Sequence, residues 1–87
     1  MNRVSSSEEK HPLRGARDRH QLTLRELAAR MQLGLTTVAR WEQGKNVPSR
    51  FYAQALADTL GFESGEQVQL LCREWREKQR RGESHAN

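Results

Sequence analysis

The sequence predicts an all-α protein, a compact bundle of about five short helices, on three observations. Apolar residues recur at three- and four-residue spacing from Leu13 to Trp75, the period of one helix face. Residues that start helices and glycines that stop them punctuate this repeat. Nowhere do Val, Ile, Thr and the aromatics alternate over a strand's length, and no Asn-Gly or Asp-Gly marks a hairpin.

Each element has a local reason. Residues 1–10 are polar and are expected to be disordered. Pro12 suits the first turn of helix 1, where a missing N–H costs nothing, and Leu13, Ala16 and Arg17 then share a face. Thr23 followed by Glu26 forms a capping box, so helix 2 is expected from Leu24, burying Leu24, Leu27, Ala28 and Met31. Gln32 to Gly34 makes the turn. Helix 3 is expected over about 35–43, burying Val38 and Trp41, with Gly44 as its left-handed stop. In "KNVPS", Pro48 forbids a regular continuation. Ser49 then caps helix 4, where Tyr52 or Ala53, Leu56, Ala57 and Leu60 repeat before Gly61. Ser64 with Gln67 is a weaker capping pair that opens helix 5, whose apolar stripe is Val68, Leu71, Cys72 and Trp75. Its end, "REWREKQRRGESHAN", is charged and polar, and is expected to fray into a tail or linker.

Eighty-seven residues make one domain with a single modest core. With 34% hydrophobic and 30% charged residues, a deep catalytic cavity is not expected. No apolar run approaches the ~20 residues that span a bilayer, and "MNRVSSSEEKHP" lacks the apolar centre of a secretory signal, so a cytoplasmic protein is expected. Cys72 is the only cysteine and can form no internal disulfide, in keeping with a reducing compartment. The net charge is +4 and the pI about 10.0. Residues 11–50 carry +5, whereas residues 51–72 carry −3. That asymmetry is read in two ways: a first half that faces a polyanion, or a merely solvated basic surface.

No enzyme chemistry emerges. His11, His20 and His85 are scattered without metal spacing or a cysteine partner, so no metal is expected. There is no Gly-rich phosphate loop, no Ser or Cys with a placed base, and no carboxylate pair with a pocket around it; neither an enzyme nor a cofactor is expected. Cys72, on an apolar face, reads as a small core residue. Trp41 reads as core because it falls on the Val38 face.

Two helices joined by a three- to four-residue turn, the second short and polar on one side, hold one helix in a DNA major groove. The stretch "LRGARDRHQLTLRELAARMQLGLTTVARWEQGKNVPS" resembles the helix-turn-helix domain of phage repressor and Cro proteins, the XRE family. The resemblance runs from about Leu13 to Phe62 and includes Leu13, Arg17, Leu22, Thr23, Glu26, Leu27, Ala28, Val38, Trp41, Glu42, Gly44 and Pro48. It implies a repressor-like helix-turn-helix DNA-binding domain over 11–62, an additional helix over 63–79 and a flexible tail or linker over 80–87. Two positions depart from the family pattern. Leu24 stands where a Gln usually clamps a phosphate, leaving that task to the helix 2 backbone N–H groups and dipole. Gln32 stands at the family's turn glycine and Gly34 where Ser or Thr caps helix 3, so a differently shaped turn and a less firmly capped helix 3 are expected.

Carried over by position, the resemblance places base reading on Leu35, Thr36, Thr37 and Arg40. A guanidinium at 40 could bond guanine O6 and N7 bidentately; the plainer alternative is an exposed helix arginine paired with a carboxylate. Phosphate contacts fall on Thr23, Leu24, Arg25, Gln43, Lys45 and Arg50, where they set register and affinity without reading sequence. Arg17 and Glu42 correspond to a partly buried structural ion pair between helix 1 and the end of helix 3. The implied partner is double-stranded DNA, with no membrane role. The implied protein is bacterial or phage-encoded and nucleoid-associated, either a sequence-specific transcriptional regulator or the DNA-binding domain of a longer one. A protein-interaction module or antitoxin-like partner that keeps the fold without strong DNA specificity is the alternative, favoured by Leu24 and Leu35. The apolar stripe of helix 5 is read either as an interface or as the part that folds back to complete the monomer's own core; with only four apolar positions for an interface, a monomer in solution is expected, pairing if at all on a palindromic site.

Overall fold

In a computed structural model, which describes residues 10–86 with side chains through Arg81, five helices follow one another: α1 (Pro12–Arg19), α2 (Leu24–Met31), α3 (Leu35–Glu42), α4 (Arg50–Leu60) and α5 (Gly65–Ala86). Among the described residues there is no strand. Their starts are chemically explicit. The capping box of α2 is complete, with Glu26 N–H donating to Thr23 Oγ1 at 3.0 Å and Thr23 N–H to Glu26 Oε1 at 2.8 Å. Ser49 Oγ accepts from Tyr52 N–H at 3.4 Å at the start of α4. Before α5, Ser64 Oγ accepts from Gln67 N–H at 3.1 Å, while the Gln67 side chain accepts from Glu63 rather than Ser64.

Chain reversals follow α1 to α4 at left-handed residues: Gln21, Gln32, Gly44 and Gly61. Each time the next residue folds its N–H back to a carbonyl five positions earlier, as Leu33 does to Ala28 at 3.0 Å and Lys45 to Arg40 at 3.0 Å. The turn between α2 and α3 therefore keeps the left-handed step, contrary to the altered shape expected from Gln32. Its backbone sits at φ 59°, ψ 41°, which costs a residue with a Cβ on the order of 1 kcal/mol. The expected weak capping of α3 is present: Gly34 provides no side-chain bond.

The core gathers one face of every helix: Leu13 and Ala16 of α1; Leu27, Ala28 and Met31 of α2; Val38 and Trp41 of α3; Ala53, Leu56, Ala57 and Leu60 of α4; and Val68 and Cys72 of α5. Truncating a fully enclosed leucine such as Leu27 or Leu56 is worth roughly 2–5 kcal/mol. Leu24 is half-buried at the margin of this cluster, not inside it, and Tyr52 is half-buried while Ala53 takes the core position.

α5 folds back over α4 and reaches α1. The approach to α4 requires glycine, since a Cβ on Gly65 would lie 2.8 Å from the Gln54 backbone nitrogen. Gln54 Oε1 accepts from Gly65 N–H at 3.1 Å, and Gln69 donates to the Pro48 carbonyl at 3.1 Å. Val68 and Cys72 are enclosed, while Leu71 and Trp75 are half-buried. The helix does not stop near position 79, as the sequence reading had it, but continues to Ala86. Arg, Glu, Lys and Gln are strong helix formers, and Glu77 pairs along the helix with Arg80 at 3.9 Å and Arg81 at 3.7 Å. Of the expected disordered segment 1–10, only Lys10 is described; it is exposed and holds Asp18 at 2.8 Å. Residues 1–9, Asn87 and the His85 side chain lie outside the described residues.

Candidate nucleic-acid interface

α3 presents two unlike sides. Val38 and Trp41 face the core, and Trp41 is only 4% exposed, its ring 5.9 Å from that of Tyr52, which leaves it no face for a base. Leu35, Thr36, Thr37 and Arg40 are all exposed. These four sequence-predicted positions thus share the outer side of one helix. Among the described residues Arg40 meets no carboxylate, so its guanidinium is not committed to a protein partner.

The far end of α3 is clamped. Arg17 Nε donates to Glu42 Oε2 at 2.7 Å and a terminal nitrogen donates to Oε1 at 2.9 Å, while the other terminal nitrogen reaches the Leu22 carbonyl at 3.0 Å. The two side chains are 12% and 9% exposed. Hydrogen bonding to Glu42 raises the Arg17 pKa above its ordinary value. One fork thus joins the end of α1, the approach to α2 and the last residue of α3, fixing the angle at which α3 leaves the core.

The expected phosphate contacts divide into three kinds. Arg25, Gln43 and Lys45 are exposed side chains. Thr23 is exposed, but its oxygen is engaged in the cap; Leu24 packs its side chain on the core, so only its backbone remains. Among the described residues the N–H groups of Leu24 and Arg25 find no acceptor, and at the positive end of α2 they are suited to an anion. Arg50 is exposed and pairs loosely with Glu66 at 3.7 Å, with about four-fifths of each side chain open to solvent. So exposed a pair contributes little and yields readily to a phosphate.

Three features were not found from sequence. Phe51 is 77% exposed beside Arg50, its ring 5.2 Å from that of Tyr52. His11, unassigned by motif, is 3% exposed; its Nδ1 accepts from Leu13 N–H at 3.1 Å, and its ring meets Trp75 edge-on at 5.6 Å. Burial pushes its pKa down to about 4. Thirdly, α5 brings Arg76, Gln79 and Arg80 beside Gln43, Gly44 and Lys45 around an open cleft of about 400 Å³. A signal for the last was present in the helical spacing of 76 and 80, but not for its location. His20 donates from Nε2 to the Leu60 carbonyl at 2.9 Å, and burial raises the Cys72 thiol to about 12, leaving it unreactive. Among the described residues no group of three or more His, Cys, Asp or Glu could hold a metal, and no helix is long and apolar enough to cross a membrane.

A short helix with an open polar side, braced against a capped neighbour through a three-residue turn, defines a helix-turn-helix protein. A family model described as a helix-turn-helix domain matches residues 11–71, and the chain belongs to that family, which is of the XRE/Cro-like type. The domain implies DNA binding, and the family is typically non-enzymatic. The match extends past position 62 into α5. No curated protein and no solved structure matches the chain.

Proposed function

We propose that the protein is a sequence-specific double-stranded DNA-binding transcriptional regulator, or the DNA-binding part of a longer one, that lays α3 in the major groove. The observation that carries this reading is the pairing of an uncommitted Arg40 and exposed Leu35, Thr36 and Thr37 with a clamped opposite end of the same helix. Arg40 reads a base, with guanine the best geometric match. Thr36 and Thr37 offer methyl and hydroxyl groups, and Leu35 only apolar surface. The N-terminus of α2, Arg25, Gln43, Lys45 and Arg50 hold the backbone and set the register. The protein acts in the cytoplasm of a bacterium, on its own or a phage genome. Because Val68 and Cys72 of α5 are enclosed within the chain, leaving only half-buried Leu71 and Trp75 of its stripe for an interface, the protein is a monomer in solution and pairs, if at all, on a palindromic site.

Titration against random-sequence duplex DNA over a range of salt tests the reading. Neutralising about five phosphates gives a log–log slope near −4 to −5; a slope near zero overturns it. Selection from a randomised duplex library then tests the readers. Arg40→Ala should cost roughly 1–3 kcal/mol on the preferred site and relax one base position, whereas Lys45→Ala should weaken every sequence alike. An unchanged preference profile for Arg40→Ala removes Arg40 from the readers. Exposed Leu35 and Phe51 favour a second reading, a module that docks on a protein; a flat salt slope is its expected result.

A further inference from the structure

α5 lies close against the end of α3 because Gly44 leaves room for it. A Cβ at position 44 would stand 3.2 Å from Trp75 Cδ1 and 3.9 Å from Arg76 Cγ. Trp75 therefore sets the distance, and the Arg76 stem crosses the loop that follows the reading helix. Gln43, Gly44 and Lys45 form one wall of the resulting cleft; Arg76, Gln79 and Arg80 form the other. Three of these six residues are cations and none is acidic. A second hollow, of about 180 Å³, continues along α5 over Arg73, Arg76, Glu77 and Arg80. Its one acid, Glu77, is shared at 3.7–3.9 Å between Arg80 and Arg81. Among the described residues Lys45, Arg73 and Arg76 meet no carboxylate within ion-pair distance.

We infer that Arg76 and Arg80, with Gln43 and Lys45, grip the DNA backbone beside the groove that α3 reads. The C-terminal helix thereby adds sequence-independent affinity. This rests on the DNA-binding reading above and extends it beyond the matched residues 11–71. Continuity selects the occupant: a duplex on the outer side of α3 runs past Gln43 and Lys45, and the opposite wall of that cleft is cationic. The spacing fits as well. Positions 73, 76 and 80 lie along one side of α5 over about 10 Å at 1.5 Å per residue, the axial length of about three phosphates on one strand. A cleft lined by flexible cations, without a fixed donor–acceptor pattern, discriminates charge and not base identity.

The test uses the full chain and measures salt-dependent affinity on random and preferred duplexes for Arg76→Gln/Arg80→Gln, with Lys78→Gln as control. Lys78 lies on the other side of α5, with Pro12, Leu71, Glu74 and Trp75. The double variant should lose about two from the magnitude of the slope and on the order of 50-fold in affinity at 0.1 M salt, equally on all duplexes. Its base preferences should be unchanged, and Lys78→Gln should keep the parental slope. A parental slope of −4 to −5 retained by the double variant overturns this inference alone, and a parental slope near zero overturns the DNA-binding reading with it. Loss of slope in Lys78→Gln equal to that of Arg80→Gln also overturns it, since any cation would then serve. Should the double variant melt early, Arg80→Gln decides the matter: its side chain is 66% exposed, and its slope should fall by about 0.9.

Discussion

At its N-terminus α3 starts on Gly34, which brings no side chain to the free N–H groups, and its first turn carries Leu35, Thr36 and Thr37 in the open. At its C-terminus the same helix meets the bidentate Arg17–Glu42 pair, the left-handed Gly44 and the indole of Trp75. Among the described residues one end has almost no protein partners and the other has several. Partners at the first turn would compete with a ligand for the same polar groups, whereas partners at the far end orient the helix without covering it. A helix of eight residues is too short to be stable by itself, so the clamped end must supply its orientation.

The sharpest way to break this contrast is Glu42→Ala. It strands the Arg17 guanidinium in a nearly closed site, and the loss of stability should be about 3 kcal/mol, at the lower edge of the range for one-sided removal of a buried pair. Urea denaturation measures it. Replacing both partners by Met and Leu should recover most of the loss, which would assign the cost to the stranded charge and not to lost packing.

The next effect tests how far the clamp extends through Trp75. Folded His11 has its pKa near 4 against an ordinary 6.5, because burial disfavours the charged ring. As pH falls from 6.5 towards 4, the unfolded chain takes up a proton that the folded chain refuses, so stability declines through that window and is fully present above it. About 2 kcal/mol should be lost, and comparison of melts at pH 7 and 4.5 with those of His11→Asn isolates it. Equal pH dependence in the two proteins would show that His11 is not responsible.

Gly44→Ala attacks the clamp from the α3 side. The φ of 76° disfavours any side chain, and the Cβ crowds Trp75 at 3.2 Å, so a loss of about 1–2 kcal/mol is expected in thermal melts. DNA affinity should fall further than stability alone explains if α5 is displaced from Lys45. The smallest effect belongs to the loose end. Gly34 has an ordinary extended backbone and open space around it, so Gly34→Ser should add the missing cap and stabilise by a few tenths of a kcal/mol. A measurable destabilisation would mean that the first turn of α3 is not as unpartnered as described.

Much of the first four helices was legible because their determinants are local. Thr23 and Glu26 stand three residues apart and cap α2; Pro12, Ser49 and Gly44 each act within a turn of themselves. In α3 the same arithmetic placed Val38 and Trp41 inward, whereas Leu35, Thr36, Thr37 and Arg40 came through the family resemblance. The Arg17–Glu42 pair spans 25 positions and came through the family resemblance, not through spacing. At Gln32 a missing glycine suggests a missing left-handed turn, whereas the chain takes that conformation at a modest energetic cost, with Leu33 N–H closing on the Ala28 carbonyl. The end of α5 is not legible in the apolar pattern, which fades after Trp75, because its charged residues are themselves strong helix formers and carry the helix to Ala86.

The sequence by itself determined where the five helices start, most of their caps and inward positions, and the family, because each depends on residues within one or two turns or on a recognisable pattern of them. Tertiary structure alone decided that His11 would be buried against Trp75, that Gly44 would admit α5 to the end of α3, and that Arg76 and Arg80 would stand across from Lys45. Those contacts join residues more than thirty positions apart. No local periodicity encodes them, since they depend on how α5 crosses α4 where Gly65 meets Gln54, and that crossing is set by the packing of the whole core.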